Sequence, residues 1–302
     1  MDHPLTFITP STGHDDLNAE LRHVRYCPGM QICVSDDTFS ARLQEVADAG
    51  FRYTELKFKS KYKLHEKSDE EIRNAFRTIH RLIDSKGMLV WSIHLPFGDS
   101  SWNNIGAEEE SRTRSTRHYI RVMELCAEEF TSCRNFVLHA SKGALTPRSE
   151  SVTQARKALT EMIPVADRLG VRICVENLVT SLCRSWEEME TLCEGYPELH
   201  FTFDIGHANC NGADVVEFLS KEGTRLGTIH IHDTFFGSGE DSHLLVGQGN
   251  INRWGEVYRT LIETNRYRGV FMFEPKDEQS AKDVMASYER IVDDFVKLCL
   301  TS

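Results

Sequence analysis

The chain alternates between short apolar stretches and longer segments whose apolar residues recur every three or four positions. The short stretches predict eight strands, at 31–35, 51–57, 88–95, 135–140, 171–177, 199–206, 226–233 and 269–274. Strands that alternate with helices favour a parallel sheet with right-handed crossovers, and eight such units close naturally into a barrel. We therefore predict an α/β fold, a single (β/α)8 TIM barrel.

Local signals mark the ends of several helices. Ser68 with Glu71, and Ser185 with Glu188, have the spacing of a capping box, in which side chain and backbone at a helix start bond reciprocally. We also expect Asp37 to cap the first helix.

The start of the chain has a different character. Residues 1–30 show no clear period and contain three prolines, so they predict an N-terminal arm or irregular cover. We expect the arm to act as a lid or as an interface with a partner. The barrel domain is assigned to residues 31–302.

Six of the predicted strands end at or near a side chain that can bind a metal ion. These side chains are His94, His139, Glu176, Asp204, His230 and Glu274. In a barrel of parallel strands, the carboxyl ends of all strands lie on one face, and the catalytic groups lie there too. The sequence therefore predicts that the six side chains share one pocket.

Glu176, Asp204, His230 and Glu274 together offer three carboxylates and one imidazole. Taken singly, each is as well explained by an ion pair at a strand end. Four in register favour one shared divalent cation, and an oxygen-rich set suits Mn²⁺, Mg²⁺ or Co²⁺ at least as well as Zn²⁺. We predict one ion, with Mn²⁺ as the first choice.

Further histidines surround this quartet and could hydrogen-bond a hydroxyl-rich substrate or ligate another metal. They are His94, His139, His207, His232 and His243. His207 lies three residues after Asp204, where a strand turns into a loop and both side chains can converge on one ligand. Asp233 and Asp241 are candidates for orienting an imidazole, although acidic loops of this kind are more often simply solvated.

Composition narrows the class of partner. The chain has 302 residues, 40% of them hydrophobic, and a formal net charge of -11. This charge disfavours nucleic acid or an anionic membrane unless basic residues cluster, and we expect no concentration of Lys or Arg beside the pocket. A small-molecule substrate is therefore favoured. Lys142, Arg148 and Lys276 are candidate anion contacts near strand ends.

Neither a signal peptide nor a membrane span is predicted, because no basic start precedes an apolar run and no 18 apolar residues are consecutive. The nine cysteines are odd in number and form no CxxC pair, which favours reduced cysteines in the cytoplasm. The sequence leaves the oligomeric state open, and a homo-oligomer is one possibility.

Five motifs carry a family resemblance: ICVENL, FDIGHAN, IHIHD, DSHLLVGQGNI and FMFEP. They resemble the sugar phosphate isomerase and epimerase family, the xylose isomerase-like barrels that include ketose 3-epimerases such as D-tagatose 3-epimerase. The resemblance covers approximately residues 31–300. It implies that Glu176, Asp204, His230 and Glu274 are the metal ligands and that His207 contacts substrate.

The resemblance also implies a reaction, which the chemistry of the residues supports. A divalent ion would bind the carbonyl and a neighbouring hydroxyl of a ketose and stabilise the enediolate. Glu176 and Glu274 would act as base and acid, so that a proton removed on one face returns on the other. Return to the adjacent carbon would isomerise the sugar, and loss of a hydroxyl would make the enzyme a dehydratase.

The pattern departs from ketose 3-epimerases at two places, where Leu182 and Phe236 replace a Glu and an Arg. A rival resemblance is the endonuclease IV family, which holds three zinc ions with nine ligands and acts on abasic DNA. Counterparts of all nine are present: His94, His139, Glu176, Asp204, His207, His230, Asp241, His243 and Glu274. We rank it second because the strand-five loop lacks the Gly-rich segment of the nuclease. A third alternative is a subunit of a larger assembly that processes C-glycosides.

Overall fold

The computed structural model describes residues 5–6, 25–35, 37–98, 101–141, 145 and 147–301. Its centre is a closed barrel of parallel strands that follow one another in chain order. The strands are β1 Pro28–Cys33, β2 Tyr53–Lys59, β3 Leu89–Phe97, β4 Asn135–Leu138, β5 Arg172–Glu176, β6 His200–Asp204, β7 Leu226–Ile231 and β8 Phe271–Phe273. Because β8 pairs with β1, the sheet has no free edge. The predicted (β/α)8 barrel is confirmed.

Helices surround the barrel. They are α1 Phe39–Asp48, α2 Asp69–Ser85, α3 Glu109–Glu129, α4 Arg148–Leu169, α5 Trp186–Cys193, α6 Ile205–Cys210, α7 Val215–Glu222, α8 Trp254–Glu263 and α9 Ala281–Thr301. In α2, Ile72, Phe76 and Ile79 are buried along one face, as the spacing predicted. Within the described ranges, no helix combines the length and apolar character that crossing a membrane requires.

The capping signals are largely correct. Ser68 and Glu71 form the complete capping box at the start of α2. Ser185 accepts a bond from the backbone N–H of Glu188 at 3.4 Å. The Glu188 carboxylate, however, accepts the backbone N–H of Arg184 at 2.8 Å, so the second bond falls one residue earlier than in a capping box.

The expected cap of α1 is wrong. Thr38, and not Asp37, occupies the capping position, and its side chain makes no capping bond. The backbone N–H of Thr38 donates instead to Ser35 Oγ at 3.3 Å, so a serine turn leads into the helix. Asp37 remains exposed.

The first barrel strand begins at Pro28, three residues before the predicted start. Close packing explains the difference, because a Cβ on Gly29 would come within 2.5 Å of Val270 Cγ1 and 2.8 Å of Met272 Cε. Glycine here allows β1 and β8 to pair tightly, although Pro-Gly alone suggests a turn.

Most of the predicted arm lies outside the described residues. Leu5–Thr6 pairs with Arg25–Tyr26 in a small antiparallel sheet. Tyr26 is buried, with its ring 5.9 Å from that of Phe271 at the start of β8. This part of the arm therefore lies at the amino-terminal end of the strands, away from the predicted pocket.

The pairing of β2 with β3 contains one irregularity. Thr54 pairs with Val90, but Glu55 pairs with Ser92, so Trp91 is an extra residue in β3. Glu55 also pairs with Gln31 of β1. Polar side chains of three neighbouring strands therefore lie at one level inside the barrel.

Candidate metal centre and active site

The four predicted metal ligands meet at the carboxyl ends of the last four strands. Glu176 and Asp204 end β5 and β6, His230 lies next to the end of β7, and Glu274 follows β8. All four are buried, and one potential ligand atom from each lies within 4.8 Å of the others. Residues that are far apart in sequence thus form one compact cluster.

One imidazole nitrogen faces three carboxylates. His230 Nδ1 lies 2.9 Å from Glu274 Oε2, 3.1 Å from Glu176 Oε1 and 3.7 Å from Asp204 Oδ2. A ring nitrogen carries at most one proton, which cannot serve three buried anions. Buried carboxylates need a compensating positive charge, so this donor set fits a divalent cation.

The electrostatics of the cluster agree with this interpretation. Burial alone would raise the pKa of Glu176, but the imidazoles of His139 and His230 outweigh it and hold that pKa well below its usual value. Burial would likewise lower the pKa of His230, but the surrounding carboxylates, Glu55 first among them, raise it well above the usual value. The lowered pKa of Glu176 favours its ionised form, which is the form that binds a cation.

Asp204 is fixed from several sides. It caps α6 by accepting the backbone N–H of His207 at 2.7 Å, and His232 Nε2 lies 3.0 Å from the same oxygen. The Asn177 side chain accepts the backbone N–H of Asp204 and donates to its carbonyl, at 2.7 and 2.8 Å. Asn177 was not predicted from the sequence, although an amide directly after the predicted ligand Glu176 was the available signal.

His94 and His139 form a second potential ligand group with Glu176. Their Nε2 atoms lie 3.1 Å apart. The distance to Glu176 Oε2 is 2.9 Å from His139 Nε2 and 3.3 Å from His94 Nε2. Because Glu176 Oε1 faces His230, its carboxylate bridges the two groups. This arrangement could hold a second cation.

A third group surrounds Asp241. Its carboxylate lies 3.2 Å from His207 Nε2 and 2.9 Å from His243 Nε2, so it is placed to orient imidazoles as expected. The ring of His232 stacks on that of His243 at 4.1 Å. Asp204, His207 and His232, and likewise His232, Asp241 and His243, are close enough to hold a metal ion.

The same expectation for Asp233 is wrong. Its carboxylate accepts backbone N–H groups of Thr234, Gly247 and Ile251 at 2.9, 2.8 and 3.1 Å. Because its carboxylate bonds to these backbone groups, Asp233 stabilises the loop that follows β7 and does not orient an imidazole.

A cavity of about 370 Å³ opens above the cluster. Glu176 and Glu274 line it, together with His94, His139, His207 and His243. His232 is not in the lining, since it lies against the buried Asp204. Of the positions that depart from the epimerase pattern, Leu182 is buried and Phe236 is 58% exposed, and neither lines the cavity.

Three lysines lie beside the pocket where no concentration of basic residues was expected, but Lys57 pairs with Glu274 at 3.0 Å and Lys59 with Asp277 at 3.1 Å. Lys57, Lys59 and Lys276 line the cavity. Lys57 and Lys59 are two apart in β2 and therefore point the same way, which a search for adjacent basic residues overlooks. Arg148 pairs with Glu188 at 2.8 Å and does not line the cavity, and Lys142 lies outside the described residues.

β2 supplies two buried charges that the sequence analysis missed. Glu55 lies 3.0 Å from His230 Nε2, and Lys57 Nζ lies 3.0 Å from Glu274 Oε1. Charged residues at alternate positions of the motif TELK were the signal, but alternation usually indicates a strand face in water.

Solved structures share this fold. A D-tagatose 3-epimerase-like protein is 23% identical, with a TM-score of 0.72 over 88% of this chain and 99% of its own. An L-ribulose 3-epimerase is 18% identical, with a TM-score of 0.70 over 91% and 97%. The 3-keto-D-glucoside 4-epimerase YcjR from E. coli is 17% identical, with a TM-score of 0.66 over 87% and 98%.

Sequence comparison adds a more similar but shorter match. The uncharacterized protein MJ1311 of Methanocaldococcus jannaschii is 34% identical over 158 residues, which span 49% of this chain and 53% of that protein. A family model, described as xylose isomerase-like TIM barrel, matches residues 43–291. Because this match covers most of the barrel, the chain belongs to the xylose isomerase-like TIM barrel family.

Proposed function

We propose that this protein is a divalent-metal-dependent isomerase or epimerase acting on a small carbohydrate, either a ketose or a sugar phosphate. The observation that carries the proposal is the single nitrogen of His230 facing three carboxylates below a cavity. Family membership and the named epimerases among the structural neighbours support the choice of substrate class.

Glu176, Asp204, His230 and Glu274 would hold the cation, with Mn²⁺ as the first choice and Mg²⁺, Co²⁺ or Zn²⁺ as alternatives. A cation held there would withdraw electrons from a substrate carbonyl and so acidify the neighbouring carbon-bound hydrogen. The histidines of the cavity lining offer ring nitrogens to substrate hydroxyls, whereas His232 supports Asp204 from behind.

Glu176 and Glu274 are the proposed acid and base. They stand at the ends of β5 and β8, separated by two strands, and both line the cavity. One carboxylate removes the proton from carbon, and the other returns a proton to the opposite face, which inverts that carbon. Delivery to the adjacent carbon would give aldose and ketose interconversion.

The decisive experiment follows solvent deuterium. Protein loaded with Mn²⁺ is incubated in D₂O with a panel of ketoses and sugar phosphates, then the ion is removed and NMR detects deuterium at carbon. We expect uptake with at least one sugar and none with Glu274→Gln of intact fold. Near-normal uptake by that variant would contradict the assigned role. No uptake with any sugar would favour the non-catalytic subunit, and loss of water from the product would indicate a dehydratase.

The second candidate is a trinuclear zinc phosphodiesterase of the endonuclease IV type, acting on abasic DNA. It is favoured by the ligand groups that share residues with the quartet and by the lysines in the cavity lining. Metal analysis of the purified chain separates the candidates. One ion per chain and no cleavage of an abasic-site oligonucleotide support the sugar enzyme, whereas three zinc ions and cleavage support the nuclease.

A further inference from the structure

Glu55 is an ionisable residue buried in the middle of β2, with no exposed surface. Its Oε1 accepts a bond from Gln31 Nε2, and its Oε2 accepts one from Ser92 Oγ, both at 2.6 Å. These donors come from β1 and β3 and lie level with Glu55 in the sheet. The carboxylate is therefore held rigidly inside the barrel by the strands on either side.

The remaining partner of Glu55 lies across the barrel. His230 Nε2 lies 3.0 Å from Glu55 Oε1 and 3.2 Å from Oε2, while His230 Nδ1 faces the cluster of carboxylates. A neutral imidazole has one N–H and one lone pair, and the hydrogen bond at one nitrogen fixes the character of the other. A carboxylate at Nε2 accepts a hydrogen bond from the Nε2–H, which keeps the proton there and leaves the lone pair of Nδ1 for a metal ion.

We propose that Glu55 is a positioning residue of the metal centre, which holds the Nε2 proton of His230 and so presents Nδ1 to the cation. The inference rests on the proposed metal site, since it assigns a role toward that ion. The inference gives β2 a role at the metal centre although that strand supplies none of the four proposed ligands. Glu55 of β2 sets the orientation and the tautomer of His230 on β7.

A purely structural role explains the arrangement less well. Removing a carboxylate from water costs several kcal/mol, and a well-packed apolar residue often serves stability as well or better. Among the described residues, the side-chain hydrogen-bond partners of Glu55 are Gln31 and Ser92, which lie level with it, and His230, which is a candidate ligand. Gln31 and Ser92 therefore hold the carboxylate of Glu55 against His230 Nε2.

The test is titration of the metal-free full chain with Mn²⁺ in a calorimeter. Glu55→Gln keeps the shape but removes the charge, and we expect Mn²⁺ affinity to fall about 10- to 100-fold with unchanged stoichiometry. Thr54→Val is the matched control, because Thr54 is the neighbouring buried residue and its hydroxyl donates to the backbone carbonyls of Met30 and Glu55, not to the Glu55 carboxylate. It should bind Mn²⁺ as the unaltered chain does.

The outcomes separate this inference from the proposed function. If the unaltered chain binds Mn²⁺ and Glu55→Gln binds it equally well, the role of Glu55 is overturned but the proposed metal site is not. If the unaltered chain binds neither Mn²⁺ nor Zn²⁺, the metal site itself fails, and the role of Glu55 fails with it. Should Glu55→Gln not fold, Glu55→Asp keeps the charge but withdraws it from His230 Nε2, and it is expected to bind Mn²⁺ more weakly than the unaltered chain; unchanged affinity would overturn the inference.

A second measurement does not depend on any variant at position 55. In the Zn²⁺-loaded protein, ¹⁵N NMR of the His230 ring, assigned by its loss in His230→Ala, should show the proton on Nε2. A proton on Nδ1 would overturn the inference.

Discussion

Lys57 and Glu274 form an ion pair inside the barrel mouth, with Nζ 3.0 Å from Oε1 and side chains only 11% and 9% exposed. Burial opposes the charge on Lys57, but Glu274 outweighs it, so the pKa of Lys57 lies above its usual value. The ammonium fixes one oxygen of Glu274, and the other oxygen faces His230 Nδ1. Lys57 therefore sets which oxygen of Glu274 is offered to a cation.

Replacing Lys57 with Met should destabilise the metal-free protein by about 3 kcal/mol, because it leaves Glu274 buried beside one partner fewer. Chemical denaturation measures the change in the free energy of unfolding. Adding Glu274→Gln removes the uncompensated charge, so the double variant should recover part of the loss, with a coupling of about 1 to 3 kcal/mol. Strictly additive effects would show that the pair contributes nothing.

Gly206 provides space for His232. A Cβ at this position would overlap three atoms of the His232 ring, while the helical backbone of Gly206 itself tolerates alanine. Gly206→Ala should therefore displace His232, disturb Asp204, and weaken Mn²⁺ binding by about 10-fold or more in calorimetry.

The control for Gly206→Ala is the same substitution made together with His232→Ala. In a His232→Ala background the steric conflict is absent, so adding Gly206→Ala should change Mn²⁺ affinity little. Equal losses in both backgrounds would mean that glycine acts through the backbone and not through His232.

His118 makes stability depend on pH. It is 4% exposed, and burial, followed by the charges of His65 and Arg121, lowers its pKa from 6.5 to about 4. The unfolded chain therefore takes up a proton at higher pH than the folded chain does, and stability is lost as pH falls from 6.5 toward 4. This group should remove about 2 to 3 kcal/mol over that interval.

The comparison for His118 is with His118→Phe, a ring that does not titrate. Urea unfolding of metal-free protein at pH 7 and near pH 4.5 gives the acid loss for each chain. The variant should lose about 2 to 3 kcal/mol less than the parent. An identical acid loss would show that His118 is not held neutral.

His230→Ala should abolish high-affinity Mn²⁺ binding, because it removes the nitrogen around which the carboxylates are arranged. Metal content after dialysis against Mn²⁺ measures the effect. His80→Ala is the matched control, since His80 lies on α2 and pairs with Glu129, outside the cavity lining. Retention of one tightly held ion by His230→Ala would contradict its assignment as a ligand.

The barrel and its four central residues follow from the sequence because two regularities coincide. Apolar runs define the strands, and the ionisable residues Glu176, Asp204, His230 and Glu274 occur at or near their carboxyl ends. In a parallel barrel that position has only one location in space. For these four residues, the position in the strand pattern is therefore enough to predict that they meet in space.

The supporting residues were not predictable in the same way. Glu55 and Lys57 alternate with Thr54 and Leu56, which is also the pattern of a strand with one face in water. Only barrel closure shows that the polar face points inward. Asp233 is the opposite case. It directly follows His232 in sequence and was expected to orient an imidazole, but its carboxylate accepts a backbone N–H of the following loop.

The extra residue Trp91 in β3 has a consequence for how this site can change over time. It brings Ser92 level with Glu55 and His94 level with Lys57. If the pairing of Thr54 with Val90 continued without this irregularity, Trp91 would lie level with Glu55 and Ile93 level with Lys57, so an apolar side chain would take the place of each polar one. The side chains that β3 presents to the inside of the barrel therefore depend on pairing register as well as on residue identity. A change that shifts the pairing register of β3 by one residue would therefore exchange several side chains of this face at once, whereas a substitution exchanges one.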